Sequence, residues 1–259
     1  MAFKQFSSLA FALAVVAAHD VAQAGAITFN QSTCLSGSVS TLSLSCTTKV
    51  EGASHTATFS AWSALANKNF AAASIRYYPY AGLGITARNE SIIGSQHAVD
   101  NYGGTDAFLI NFGSSNFALD QISVGWRAGD ADVSILRYTG TQAPSLGNSS
   151  VANLDDTAGW EWVGDYSTLA TNNVLNFNNS GDVKTAAWWL VSAYNSAYAN
   201  APTSANLNNG NDYFKLNGVG GSLVTVTPPS SDVPEPGTFA LFGIALLGLA
   251  AARRKFLAK

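Results

Sequence analysis

Along most of the chain apolar residues alternate with polar ones. Phe108, Ile110 and Phe112 lie two apart, as do Ile122, Val124 and Trp126, and Val133 with Ile135. Shorter stretches around Val39, Leu42 and Leu44, around Thr56, Thr58 and Phe59, and around Leu223, Val224 and Val226 have the same strand-like character. A period of two places every second side chain on one face of a pleated backbone, so these runs predict short, half-buried strands. Between them fall Gly103 with Gly104, residues 113–115, Gly129 with Asp130, Gly140 with Thr141, residues 178–181 and residues 206–211. Such Gly and Asn clusters tolerate positive φ and mark turns. The pattern predicts an all-β fold, an antiparallel β-sandwich or jelly-roll-like single domain over residues 25–227. One segment departs from it: the alanine-rich residues 61–74 predict a helix.

Both ends break the alternation. Lys4, an apolar run over residues 9–18, and Ala22-Gln23-Ala24 before Gly25 form the charged, greasy and small-x-small regions of a secretory signal. Cleavage by signal peptidase is expected between Ala24 and Gly25, which makes residues 1–24 a signal peptide. Its apolar run covers only about 15 Å as a helix, half a bilayer core. At the other end, a Pro-rich linker over residues 228–236 closes on Val233, Pro234, Glu235 and Pro236. An uncharged stretch over residues 237–252 follows, then a basic stop of Arg253, Arg254 and Lys255 in the tail 253–259. That stretch gives about 24 Å of helix, a short membrane span whose basic end faces the cytoplasm. The body is thereby expected outside the inner membrane.

In that order, Pro234-Glu235-Pro236, the helix and the basic cluster closely resemble the PEP-CTERM sorting signal of Gram-negative bacteria, which the membrane protease exosortase reads. The two prolines restrict Val233 and Glu235 to extended backbone, the form a protease cleft binds as a strand-like segment. The resemblance implies an inner-membrane intermediate that is cut near this motif, its body ending at the cell surface or in the extracellular polymeric substance of a biofilm. A looser likeness runs through residues 97–101, Val124-Gly125-Trp126, residues 130–133, Gly159-Trp160, Trp189-Leu190 and Ala193-Tyr194-Asn195. These short motifs are similar to exosortase-dependent surface proteins of unknown role, and imply a location and no activity.

Composition narrows the chemistry. Charged residues make up 11% of the 259, against about 25% in a typical soluble protein. Within residues 25–232, eight Lys and Arg stand against fourteen Asp and Glu, a net charge of -6, so nucleic acid is not an expected partner. Cys34 and Cys46 both fall in the exported part, where a disulfide is the default. No cofactor is required by any motif. The oxygen-rich turns offer Asp100, Asn101, Asp130 and Asp132 as ligands for Ca²⁺, although such residues also cap their own turns. Trp188, Tyr77, Tyr78 and Tyr80 are candidate platforms for sugar rings of an extracellular polysaccharide. Trp126, Trp160 and Trp189 are expected in the core.

An enzyme is not expected. The body has two histidines, His55 and His97, and no G-x-S-x-G elbow or zinc signature. The leading expectation is a structural or adhesive surface protein. A calcium-assisted carbohydrate-binding module is the alternative.

Overall fold

The computed structural model describes residues 22–23, 25–34, 40–65, 68–88, 90, 97–154, 158–198 and 206–225. Most of the expected signal peptide and all of the linker, sorting helix and basic tail lie outside the described residues. The described strands are β1 (Ala22–Gln23), β2 (Ile27–Asn30), β3 (Ser40–Thr41), β4 (Ser43–Val50), β5 (Ala53–Leu65), β6 (Ala71–Tyr78), β7 (Gly82–Thr86), β8 (Val99–Asp100), β9 (Gly104–Asn111), β10 (Phe117–Arg127), β11 (Val133–Tyr138), β12 (Trp160–Tyr166), β13 (Val174–Asn176), β14 (Trp188–Ala193) and β15 (Tyr213–Thr225). They form a mostly antiparallel β fold in which one long sheet runs β12-β11-β14-β9-β5-β6-β7-β15-β10-β13.

That sheet curls over at β6. Residues 71–73 of β6 pair with β5, whereas residues 74–78 pair with β7. The two limbs on either side face each other across one core. Phe59, Phe108, Ile110 and Trp189 enter it from one limb, and Ile122, Val124, Leu216 and Val219 from the other. The alternating sets read from the sequence are therefore inner-face sets, with Phe112, Val133 and Ile135 in the same core. Trp126 is different: it is only partly buried and lies outside that core, so its expected core placement is corrected. Register shifts where β10 pairs β15, two of them flanking Val124, interrupt the alternation there.

Strand β9 is buried on both faces. Ala107 and Leu109 point away from the main core into a second cluster with Leu136, Leu146, Trp160, Leu190 and Tyr198. The segment between β11 and β12 supplies Leu146, Val151 and Leu154 to this layer. Two-sided burial explains why residues 107–110 read as an unbroken apolar run.

The expected helix over residues 61–74 is not formed. Residues 61–65 finish β5 and residues 71–74 begin β6, with Ala61 opposite Ala73 and Ser63 opposite Ala71. Alanine has high helix propensity, but propensity is a weak prior against tertiary packing. Ala61, Ala64 and Ala73 are buried in the strand pair instead.

Cys34 and Cys46 form a disulfide, tying the single helical turn Gln31–Cys34 after β2 to β4. A loop of this size stabilises the fold by about 3 kcal/mol in the chain-entropy picture.

Candidate functional site

Three carboxylates meet where the β10–β11 turn passes the start of β15. Asp130, Asp132 and Asp212 each place an oxygen within 4.8 Å of the others. Asp132 and Asp212 are fully buried. The Thr168 N–H donates to Asp132 Oδ1 at 2.7 Å and the Asn208 N–H to its Oδ2 at 3.2 Å. Asp212 Oδ1 accepts the Asp132 N–H at 2.7 Å, and its Oδ2 accepts Asn101 Nδ2. With the Ala131 N–H on Asp130 Oδ1, five of the six carboxylate oxygens already hold an N–H donor.

Asn101 completes the arrangement. Its Nδ2 also donates to the Tyr194 carbonyl at 2.8 Å, while its Oδ1 accepts the Gly210 and Asp212 N–H groups at 2.9 and 3.0 Å. Five segments distant in sequence, those of Asn101, Asp132, Thr168, Tyr194 and residues 208–212, are thus pinned together through one amide and two carboxylates. Burial pushes the Asp212 carboxyl up to about 7, helped by the negative charges of Asp132 and Asp130 and opposed by the donors from Asp132 and Asn101. Burial likewise raises Asp132, against the N–H groups of Thr168 and Asn208.

The expected calcium set is only partly brought together. Asp130 and Asp132 converge and Asn101 joins them through Asp212, but Asp100 is not in the cluster. Its Oδ1 caps the Tyr102 N–H at 3.1 Å. Burial lifts Asp100 to about 7, and its charge adds to the burial that raises the neighbouring Asp106. Asp212 was not legible as a partner. It lies eighty positions from Asp132 within an Asn-rich turn, and no local motif marks it. Chemically, the donor set of Asp130, Asp132 and Asp212 suits a hard cation. The same oxygens already serve as acceptors that fix the loops.

The four aromatic candidates separate. Tyr77 packs against the main core and Trp188 against the second cluster. Tyr80 is 93% exposed at positive φ, in the turn between β6 and β7. That turn passes tightly over β10: a Cβ on Gly125 would sit 2.3 Å from the Ala81 carbonyl oxygen, so glycine is required there. Tyr78, partly buried, faces a group the sequence did not flag. Lys215 extends its ammonium between two rings, 3.7 Å from the Trp126 centroid and 4.5 Å from that of Tyr78. Nearby, the rings of Tyr102 and Tyr213 lie 6.5 Å apart.

His97, one of the two body histidines, is buried, and its Nδ1 meets Thr86 Oγ1 at 2.7 Å. Glu90 accepts the backbone N–H groups of Ala87 and His97 and so closes the loop between them. A cleft of about 320 Å³, with Asn101 in its lining, opens between Leu65, Lys68, Gly103, Thr105, Ser150 and Asn195. Asn195 Nδ2 donates to Thr105 Oγ1 at 2.6 Å and joins two of its walls.

Beyond the described residues, the model of the PEP-CTERM protein-sorting motif matches residues 232–255. The chain carries the PEP-CTERM sorting signal. The match takes in Val233, Pro234, Glu235 and Pro236, the apolar stretch, and Arg253, Arg254 and Lys255. A PEP-CTERM protein is exported and processed at the membrane, and exosortase is the enzyme to which the signal is addressed. No curated protein and no solved structure matches the chain. Among the described residues no helix is long and apolar enough to cross a membrane, and the expected sorting helix of this PEP-CTERM protein lies outside them.

Proposed function

We propose that this PEP-CTERM protein delivers a stable β body to the cell surface or extracellular matrix, where its role is structural or adhesive and not enzymatic. The sorting motif at residues 232–255 is the observation that carries the reading. The body is suited to life outside the cell. It holds a Cys34–Cys46 bond, which persists under oxidising conditions. Its two apolar clusters share one curled sheet, and its long turns are fastened by buried amide and carboxylate hydrogen bonds. Signal peptidase would remove residues 1–24 and exosortase the tail.

Comparing attachment and matrix retention of cells with and without the chain tests the role. Loss of attachment on deletion should be restored by the full chain and not by a variant with Ala at Pro234, Glu235 and Pro236. Unchanged attachment after deletion would contradict a structural or adhesive role.

A second reading, calcium-assisted carbohydrate binding, draws on the approach of Asp130, Asp132 and Asp212 within 4.8 Å. It requires retention on a glycan array that disappears with chelator. Retention indifferent to chelator removes calcium from the account.

A further inference from the structure

Lys215 is the anomaly of the body. Its residue is 7% exposed, yet among the described residues no carboxylate pairs with its ammonium, the ion pairs joining Glu161 to Arg137 and Lys184 only. Burial by itself brings its pKa down to about 8, with no carboxylate close enough to oppose the fall. Two aromatic faces compensate part of the charge, but they provide no oxygen for directed N–H donors. A methionine or leucine would fill the same space without the cost of desolvating a cation. The charge is therefore unexplained by packing.

Its surroundings point to an anion with an apolar face. Trp126 and Tyr78 are both partly exposed, so the site opens to solvent, and the fully exposed Tyr80 stands at the turn that crosses Gly125 beside Trp126. The positive charge of Arg76 is felt at Tyr78. Glu90 is the carboxylate felt there, and both of its oxygens accept backbone N–H groups. Paired aromatic faces accept the C–H face of a pyranose ring, and an ammonium supplies charge-assisted hydrogen bonds to a carboxylate.

We propose that Trp126, Tyr78 and Lys215 form a binding site for a carboxylated saccharide, a uronic-acid unit of an extracellular polymer. The Lys215 ammonium takes the carboxylate, and the ring surfaces that the ammonium leaves uncovered contact the sugar. The assignment deepens the adhesive role proposed above and rests on it for the place where such a polymer is met.

Titration of the full-length chain in detergent with a galacturonic acid trimer tests it, against the methyl ester of that trimer and against acetate. The trimer should bind. The uncharged ester should bind about tenfold more weakly or worse, the size expected for losing a hydrogen bond to a charged group, and acetate should be negligible. Lys215→Met should lose about the same factor, and Lys215→Arg should keep part of the binding. As a measurement independent of any variant, acetylation of Lys215 by an amine-reactive ester, read by peptide mass, should slow when the trimer is present.

Equal binding of trimer and ester, undiminished binding by Lys215→Met, or a labelling rate indifferent to the trimer would each overturn the site. Acetate binding as tightly as the trimer would reduce it to a general anion site and overturn the saccharide assignment. A chain that binds the trimer while its deletion leaves cell attachment unchanged would overturn the adhesive role and leave the site standing.

Discussion

Two of the places where the body buries charge treat it in opposite ways. At Asp132 and Asp212 every carboxylate oxygen accepts an N–H from another segment, so the charge is consumed in fastening loops. At Lys215 the ammonium meets two rings and, among the described residues, no paired carboxylate. Buried polar groups are normally satisfied, and a buried charge without a charged partner calls for an explanation. A carboxylate cluster looks more like a site in sequence than a lone lysine does. Hydrogen-bond satisfaction reverses that ranking.

The contrast can be broken most forcefully at Asp132. Asp132→Ala leaves the Thr168 and Asn208 N–H groups without their acceptor and should cost about 3–4 kcal/mol in denaturant unfolding. A loss below about 1 kcal/mol would show that these loops are held by something else. Asn101→Ala should follow at about 2–3 kcal/mol, because it frees the Gly210 and Asp212 N–H groups together.

The two places should also tilt stability in opposite directions with pH. The Asp212 carboxyl is raised from 3.8 to about 7 in the folded chain, so its proton contributes stability in full below about pH 4, and that contribution is lost as pH rises to 7. Asp100, raised to about 7, and Asp120, raised to about 6 by burial, act in the same sense. Lys215 is lowered from 10.5 to about 8, so the folded chain sheds a proton that the unfolded chain keeps, and stability rises from about pH 8 towards 10. Melting temperatures in calcium-free buffer should fall between pH 4 and 7. Above pH 8 the upward slope should be present in the wild-type chain and absent in Lys215→Met. An unchanged slope in that variant would remove Lys215 as its source.

Smaller effects sharpen the comparison further. Lys215→Met exchanges a desolvated cation for an apolar chain of similar reach, and should shift stability at pH 7 by no more than about 1 kcal/mol, with any gain favouring the variant. Chelator should leave the melting temperature at pH 7.5 unchanged if hydrogen bonds alone satisfy Asp130, Asp132 and Asp212. A rise on adding calcium would favour the metal-assisted reading.

Much of the architecture was legible because it is local. Alternation located the inner faces of β9, β10 and β11, and exported cysteines close in sequence gave the disulfide. The sorting signal is a linear motif and could be read residue by residue. Other features depend on neighbours far along the chain. The alanines of residues 61–74 carry a helical preference that only the partner strand overrides. Trp126 has the spacing of a core residue, but register shifts in the β10–β15 pairing and the approach of Lys215 set its environment. Asp212 joins Asp132 only after the last long strand returns to the β10–β11 turn. Such convergence leaves no periodic trace in sequence.

The most direct measurement is the intact mass of the protein collected from the cell exterior, taken with and without reduction and compared between cells that have exosortase and cells that lack it. The account predicts a chain that begins at Gly25, ends near Pro234, Glu235 and Pro236, and gains two hydrogens on reduction. An exterior chain that still carries Arg253, Arg254 and Lys255 when exosortase is present would contradict it.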